Sequence, residues 1–149
     1  MVNAADPHCN PDVVCTLGLE ALPFPDDAFD AAIAIHVLEH IGRVGKTWGW
    51  FYFWEELYRV LKPGSPLHFE APLWNSVWAW ADPTHVRPLS PEAFAFFDQD
   101  NYRRDSAMSP YRIHCDYGAA PYRLGPGGHF SGTLIARKPL RPWWESVNA

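Results

Sequence analysis

The sequence predicts an α/β domain, and three observations carry that reading. Two short strand-like segments, at 31–35 and 67–71, flank one segment with the 3.6-residue apolar period of a helix. The run at 31–35 is continuously apolar rather than alternating, with Val37 and Leu38 just beyond it. That pattern predicts a strand covered on both faces, as in a parallel sheet. The last third carries two further strand-like stretches, Tyr111 to Tyr117 and Phe130 to Arg137, around a glycine-rich turn at Gly125–Gly128. They predict an antiparallel hairpin.

Taken in order, Asp6 to Asp12 is turn-rich, with Pro7, Asn10 and Pro11. Val13 to Leu17 predicts a short strand. Leu22 to Asp30 carries two prolines and three acids and predicts a surface connection. Thr47 to Leu61 is the clearest helix: Trp50, Phe53, Trp54, Leu57 and Leu61 share one face and are expected in the core. Glu55 and Arg59 are placed to pair at i,i+4 on the other face. Pro63–Gly64 stops this helix. Leu67 to Ala71 predicts the next strand, closed by Pro72. A long loop from Leu73 to Ser90 follows, holding Trp74, Trp78, Trp80 and the run Asp82-Pro83-Thr84-His85. Loops of that length inside compact domains are commonly functional. Pro91 to Asp98 predicts a short helix with Ser90 at the N-cap and Glu92 in the first turn.

With 149 residues the chain is expected to form one domain, 1–149. A net charge of −5 argues against a scaffold held by nucleic-acid phosphates, although it leaves room for a local basic patch. The only adjacent basic pair outside Arg137–Lys138 is Arg103–Arg104. Cys9, Cys15 and Cys115 form no regular framework, which fits a reducing compartment. No apolar run reaches 18 residues and no signal-peptide pattern opens the chain, so a soluble, cytoplasmic protein with no membrane partner is expected. Eight tryptophans are many for this length and suit core, interfaces or flat ligands.

Three segments carry a family resemblance. They are Leu22-Pro23-Phe24-Pro25-Asp26-Asp27 with Phe29-Asp30, then His36-Val37-Leu38-Glu39-His40-Ile41, then Glu56-Leu57-Tyr58-Arg59-Val60-Leu61-Lys62-Pro63-Gly64. In this order and spacing the stretch from about Asp12 to Ala71 resembles the later half of class I S-adenosylmethionine-dependent methyltransferases, in particular the methyltransferase type 11 group. Asp82-Pro83-Thr84-His85 with Phe94 and Phe97 is similar to a variant of the same group. The resemblance implies a partial Rossmann-like sheet, in full ordered 3-2-1-4-5-7-6 with strand seven antiparallel. Strand three would lie at Val13–Leu17, four at Ala31–His36 and five at Leu67–Ala71, with six and seven in the C-terminal hairpin. It implies S-adenosylmethionine as cofactor and a methyl acceptor of small-molecule or unknown class. Asp6 would hold the ribose hydroxyls; Thr16 and Leu17 would lie at the adenine, and His36, Val37, Glu39 and His40 along the edge after strand four.

Two departures stand beside it. Strand one and the glycine-rich loop do not occur in the sequence, so an N-terminally truncated fold is expected. The apolar strand 31–35 then needs a covering neighbour: an upstream segment if the start codon is assigned too late, a strand from a homo-oligomer or partner chain, or re-paired strands of a degenerate fold. Thr16 stands where an aspartate often accepts from the adenine amino group, and a hydroxyl offers no charge-assisted bond there.

Ligands of open α/β sheets bind beyond the carboxyl ends of strands, where His36 to His40 and the loop after Pro72 converge. Transfer of a methyl group from a sulfonium needs positioning and, for some acceptors, a base. His85, Asp82 and His36 are the candidate bases, each with a solvated or hydrogen-bonded loop residue as the plainer reading. Glu39 reads equally well as an acid at a helix start. Trp74, Trp78 and Trp80 either frame a flat acceptor or serve core and interface. His36-Val37-Leu38-Glu39-His40 also matches the HxxEH pattern of inverted zinc proteases. Gly42 and Gly45 leave too little helix to support it, so no metal is expected there. Two readings remain open: a methyltransferase, or a non-catalytic binding and assembly module on the same fold.

Overall fold

A computed structural model describes residues 12–42, 47–104, 111 and 113–142. Asp6, Cys9 and Gly45 lie outside the described residues.

Five strands form one sheet: β1 (Ala32–Ile35), β2 (Pro66–Pro72), β3 (Tyr117–Ala119), β4 (Arg123–Leu124) and β5 (His129–Ala136). Their order is β1-β2-β5-β3, with β4 also on β5. β1 and β2 are parallel, Ala34 opposite Phe69; β5 runs antiparallel to β2, Phe69 opposite Gly132. The crossover between the parallel pair contains helix α1 (Thr47–Val60). Two shorter helices, α2 (Trp78–Ala81) and α3 (Gln99–Arg104), and a 3-10 segment at Pro91–Phe97 complete the described elements that matter for the site.

The core lies on one face of the sheet. Leu67, Phe69 and Ala71 of β2 and Phe130, Leu134 and Ala136 of β5 point into it, each pair of strands alternating as the pleat requires. Trp50, Phe53, Trp54, Leu57 and Leu61 meet them from α1 and its end, all buried. Trp54 is fully enclosed and stacks on Phe97 at 4.6 Å between ring centroids. Phe94 fills the space between Phe69 and Phe130. The helical period of α1 thus placed its apolar face correctly.

Several expectations need correction. β1 is covered on one face only. Ala34 is buried, while Ile33 and Ile35 on the opposite face are 60% and 52% exposed. The run of five apolar residues therefore reflects a strand lined by small alanines on the core side, not burial on both sides. Val13–Leu17 is not a strand. It is irregular chain ending in a turn where Leu19 and Glu20 donate to the Thr16 carbonyl. That turn uses Gly18 at φ +79°, and a Cβ there would meet the Gly49 carbonyl oxygen of α1 at 2.6 Å. In the C-terminal third, the strand begins at Tyr117 and not at Tyr111. The preceding backbone is held instead by Gln99, whose side-chain amide donates to the carbonyls of Ile113 and Cys115. The short helix expected at Pro91–Asp98 forms as a 3-10 segment over Pro91–Phe97, but Ser90 makes no side-chain cap bond.

The Leu22–Asp30 segment is more than a surface connection. Arg59 donates to the carbonyls of Leu22 and Phe24 at 2.9 and 2.8 Å, and pairs with Asp26 at 2.9 Å and Glu56 at 2.8 Å. Glu56 also accepts from the Leu22 amide at 2.8 Å. The expected Glu55–Arg59 pair does not form: Glu55 accepts from the His114 amide, and Arg59 takes the i,i+3 partner because the turn supplies two further acceptors on that side. Phe24 and Phe29 close the turn edge to face at 4.8 Å. This clasp sets the entry of the chain into β1.

Candidate functional site at the carboxyl edge of the parallel pair

His36 is the first residue after β1 and carries φ +51°. A non-glycine residue in this left-handed region turns the chain sharply out of the strand, and histidine is among the residues enriched there. A short 3-10 turn follows, Leu38–His40. Leu38 is fully buried and anchors the turn to the core, which draws Glu39 inward to 2% exposure and leaves His36 and His40 at the surface.

The long loop after β2 is tied to the same turn through backbone. The amides of Val86 and Arg87 both donate to the Glu39 carbonyl, at 3.0 and 3.1 Å. At its base, Trp74 donates to Leu89 and Leu73 to Gly128. Arg87 lies 4.5 Å over the Trp50 ring, where burial lowers its pKa. Those bonds bring Asp82-Pro83-Thr84-His85 onto the β1 edge.

The side chains then form one connected group. His36 Nδ1 is 3.3 Å from Glu39 Oε1, and His36 Nε2 is 3.6 Å from Glu70. His85 Nε2 is 3.9 Å from Glu39 Oε1 and 3.8 Å from Asp82 Oδ2. The Asp82 carboxylate accepts from the Thr84 hydroxyl at 2.6 Å and the Thr84 amide at 2.8 Å, which holds its pKa below the ordinary carboxylate value. His40 Nδ1 faces the Thr84 carbonyl at 3.3 Å and the Thr84 hydroxyl oxygen at 3.2 Å. The His40 and His85 rings meet edge to face at 4.7 Å. Glu39 Oε2 and His85 Nδ1 are buried with no hydrogen-bond partner.

His36, Glu39, His40, Asp82 and His85, all singled out from the sequence, therefore come together. Thr16 and Leu17 do not join them. Leu17 lines an apolar cavity of about 210 Å³ beside β1, as does Val37, with Cys15, Phe24, Phe53 and Leu57 around them. Thr16 is exposed in its turn, its amide bonded to Glu20. The HxxEH pattern does not act as a helical pair: three 3-10 residues and the left-handed His36 prevent it. Trp74, Trp78 and Trp80 are surface residues rather than core, Trp80 being 67% exposed with its Nε1 bonded to the Trp74 carbonyl. Sequence reasoning missed Glu70 and His129, which approach His36 from β2 and β5; the ring of His129 is 5.0 Å away. The signal for Glu70 was present, since His68 and Glu70 are the polar half of an alternating strand.

Residues 1–69 match the family model for a methyltransferase domain. Among solved structures, the chain is similar to an S-adenosylmethionine-dependent methyltransferase from Methanosarcina mazei (18% identity, TM-score 0.53, covering 87% of this chain and 67% of that one). It is also similar to a Haloferax volcanii protein solved in complex with a methyltransferase activator (13%, 0.54, 87% and 64%). A third is the 1,6-didemethyltoxoflavin-N1-methyltransferase of Burkholderia thailandensis, solved with 1,6-didemethyltoxoflavin and S-adenosylhomocysteine (11%, 0.51, 85% and 50%). A comparison with curated proteins gives no match. The chain spans about two thirds or less of these structures, and at such identities the likeness shows the fold. In sequence and in fold the chain resembles the class I S-adenosylmethionine-dependent methyltransferases, and its order β1-β2-β5-β3 is their 4-5-7-6.

Proposed function

We propose that this chain carries the acceptor-side part of an S-adenosylmethionine-dependent methyltransferase. The observation that supports this is the pair of hydrogen bonds that the Val86 and Arg87 amides donate to the Glu39 carbonyl, which unites the turn after β1 with the loop after β2 at one sheet edge. Ligands of open α/β sheets bind at that edge.

The described residues fit the part of such a cofactor that crosses the end of β1. The left-handed turn leaves the His36 ring 42% exposed, with Glu39 fixing it from below. When bound, the cofactor would supply an electrophilic methyl group on a sulfonium sulfur. His36 and Val37 would hold it at β1. His36 is far more accessible than His85, 42% against 9% exposed, and would take the acceptor proton on a ring nitrogen. His85 and Asp82 would wall the acceptor side, His85 being nearly enclosed and Asp82 having one oxygen committed to Thr84. The ribose and adenine contacts would come from Asp6 and the Thr16–Leu17 turn. The acceptor is a small molecule or a macromolecule flanked by the Trp74–Trp80 ledge.

Titration calorimetry with S-adenosylmethionine and S-adenosylhomocysteine tests this. Saturable binding of both, weakened in His36→Ala, is expected. No heat at millimolar ligand from folded protein would remove the reading for this chain by itself.

A second reading has its own observation. Among the described residues β1 pairs only with β2, and the cavity along its outer edge is lined almost wholly by apolar groups. An adenine ring needs polar partners that this lining lacks, whereas the side chains of an added strand do not. Under this reading another chain, a second copy or a partner, completes the sheet and the protein acts in assembly. Light scattering coupled to gel filtration distinguishes the two: a monomer at micromolar concentration that binds the cofactor supports the enzyme, and a stable oligomer without cofactor binding supports assembly.

A further inference from the structure

We infer that Glu39, His40 and His85 form a binding site for a divalent transition-metal ion of the zinc class. One ligand atom from each of the three lies within 4.8 Å of the others. Zinc bonds of about 2.0–2.2 Å place tetrahedral ligands roughly 3.3 Å apart, so closure requires movements on the order of 1 Å. The exposed His40 ring is free to supply most of that.

The protonation pattern is already the one a metal needs. The Thr84 carbonyl can only accept, so His40 Nδ1 carries the hydrogen that faces it at 3.3 Å. The Thr84 hydroxyl gives its own hydrogen to Asp82 Oδ1 at 2.6 Å and accepts from the same Nδ1. His40 Nε2 is therefore left with its lone pair. Ligating histidines are typically oriented in this way, the other ring nitrogen donating to a carbonyl or carboxylate.

The second, independent indication is the state of the two buried members. The Glu39 carboxylate is 2% exposed, yet its best contact is His36 Nδ1 at 3.3 Å and its Oε2 has no partner. The His85 side chain is 9% exposed, with Nδ1 unpartnered and Nε2 no nearer than 3.8 Å to any carboxylate. A buried carboxylate held this loosely is costly, and a divalent cation beside it would offset that cost. Two imidazoles and one carboxylate select zinc-class ions over magnesium or calcium, which prefer oxygen ligands. Three protein ligands leave a position open, as in catalytic rather than structural zinc sites. His36 is not a ligand, because its left-handed backbone turns it toward Glu39 and Glu70. His85 replaces it from the other side of the edge, which no local motif could announce.

The site does not depend on cofactor binding, so it and the methyltransferase reading fail separately. The full chain would be stripped with chelator, dialysed against zinc ions alone and assayed for bound metal, with thermal melting in parallel. About one equivalent is expected in the wild type and in His68→Ala, whose histidine lies outside the cluster. It should be lost in His40→Ala and His85→Ala, with a zinc-dependent rise in melting midpoint that disappears with it. His40 is at the surface, so His40→Ala keeps the test valid if His85→Ala does not fold. Wild-type protein that retains no zinc, or equal zinc in wild type and His40→Ala, would overturn the inference.

Discussion

Two polar clusters lie within the stretch that resembles the methyltransferases, and they are built on opposite terms. At the Arg59 clasp every strong group is answered: the guanidinium reaches two carboxylates and two carbonyls, all within 3.0 Å. At the Glu39 edge the nearest charged contacts are 3.3–3.9 Å long, and two buried atoms have nothing to bond. Charge-assisted bonds at short distance are worth having for stability, whereas a loosely held buried charge is tolerated only where something else justifies it. Of the recognisable motifs, the prolines and acids of 22–30 and the Glu56–Lys62 helix end thus serve architecture. The His36–His40 edge, on the reading proposed above, serves a ligand.

The largest expected effect comes from breaking the clasp. Arg59→Ala leaves Glu56 largely enclosed without its partner and frees two carbonyls; a loss of about 3 kcal/mol is expected in urea unfolding, with little change in slope. A loss under about 1 kcal/mol would erase the contrast between the clusters. Acid sensitivity sharpens the same point. The bond from Arg59, more than any other influence, lowers the Glu56 pKa. Glu56 in the unfolded chain titrates at the ordinary carboxylate value, so its contribution is full above that value and is lost as pH falls through the lower folded one. Glu56→Gln should therefore be less stable than the wild type at neutral pH and lose less stability on acidification; parallel pH profiles would contradict this.

At the other cluster the sign reverses. Glu39→Gln keeps the shape and removes the loosely held charge, so in metal-free buffer it should match the wild type or exceed it by about 1 kcal/mol. Destabilisation as large as that of Arg59→Ala would mean that Glu39 is architectural too. The smallest effect concerns the turn. His36→Gly should be more stable than His36→Ala by about 0.5–1 kcal/mol, because only the alanine meets the left-handed backbone with a Cβ. Equal stabilities would show that the φ of +51° carries no strain.

Much of this was legible from local pattern. The period of α1 and the glycine turn before β5 rest on contacts near in sequence, and the β1–β2 pair was legible from the order of strand, helix and strand that the family resemblance carries. Residues 13–17 were misread because a short apolar run is a strand only if a neighbour accepts its backbone, and there the chain curls into the Gly18 turn against Gly49. The exposed side of β1 was misread because alanine and isoleucine count equally as apolar in a run, although of β1 only Ala34 is buried. At the site, the residue types at 36–40 and 82–85 were visible, but Glu70 and His129 joined them only through strand register.

Sequence by itself determined the α/β class, the apolar face of α1 and the two segments that meet at the site, since these depend on periodicity and turn chemistry within short windows. Tertiary structure decided the rest. It chose Glu56 and not Glu55 for Arg59, drew Glu39 under the surface by burying Leu38, and set His85 against it across 46 residues of chain. Those outcomes depend on which carbonyls and carboxylates the folded backbone brings within about 3 Å, a distance that no window along the chain contains.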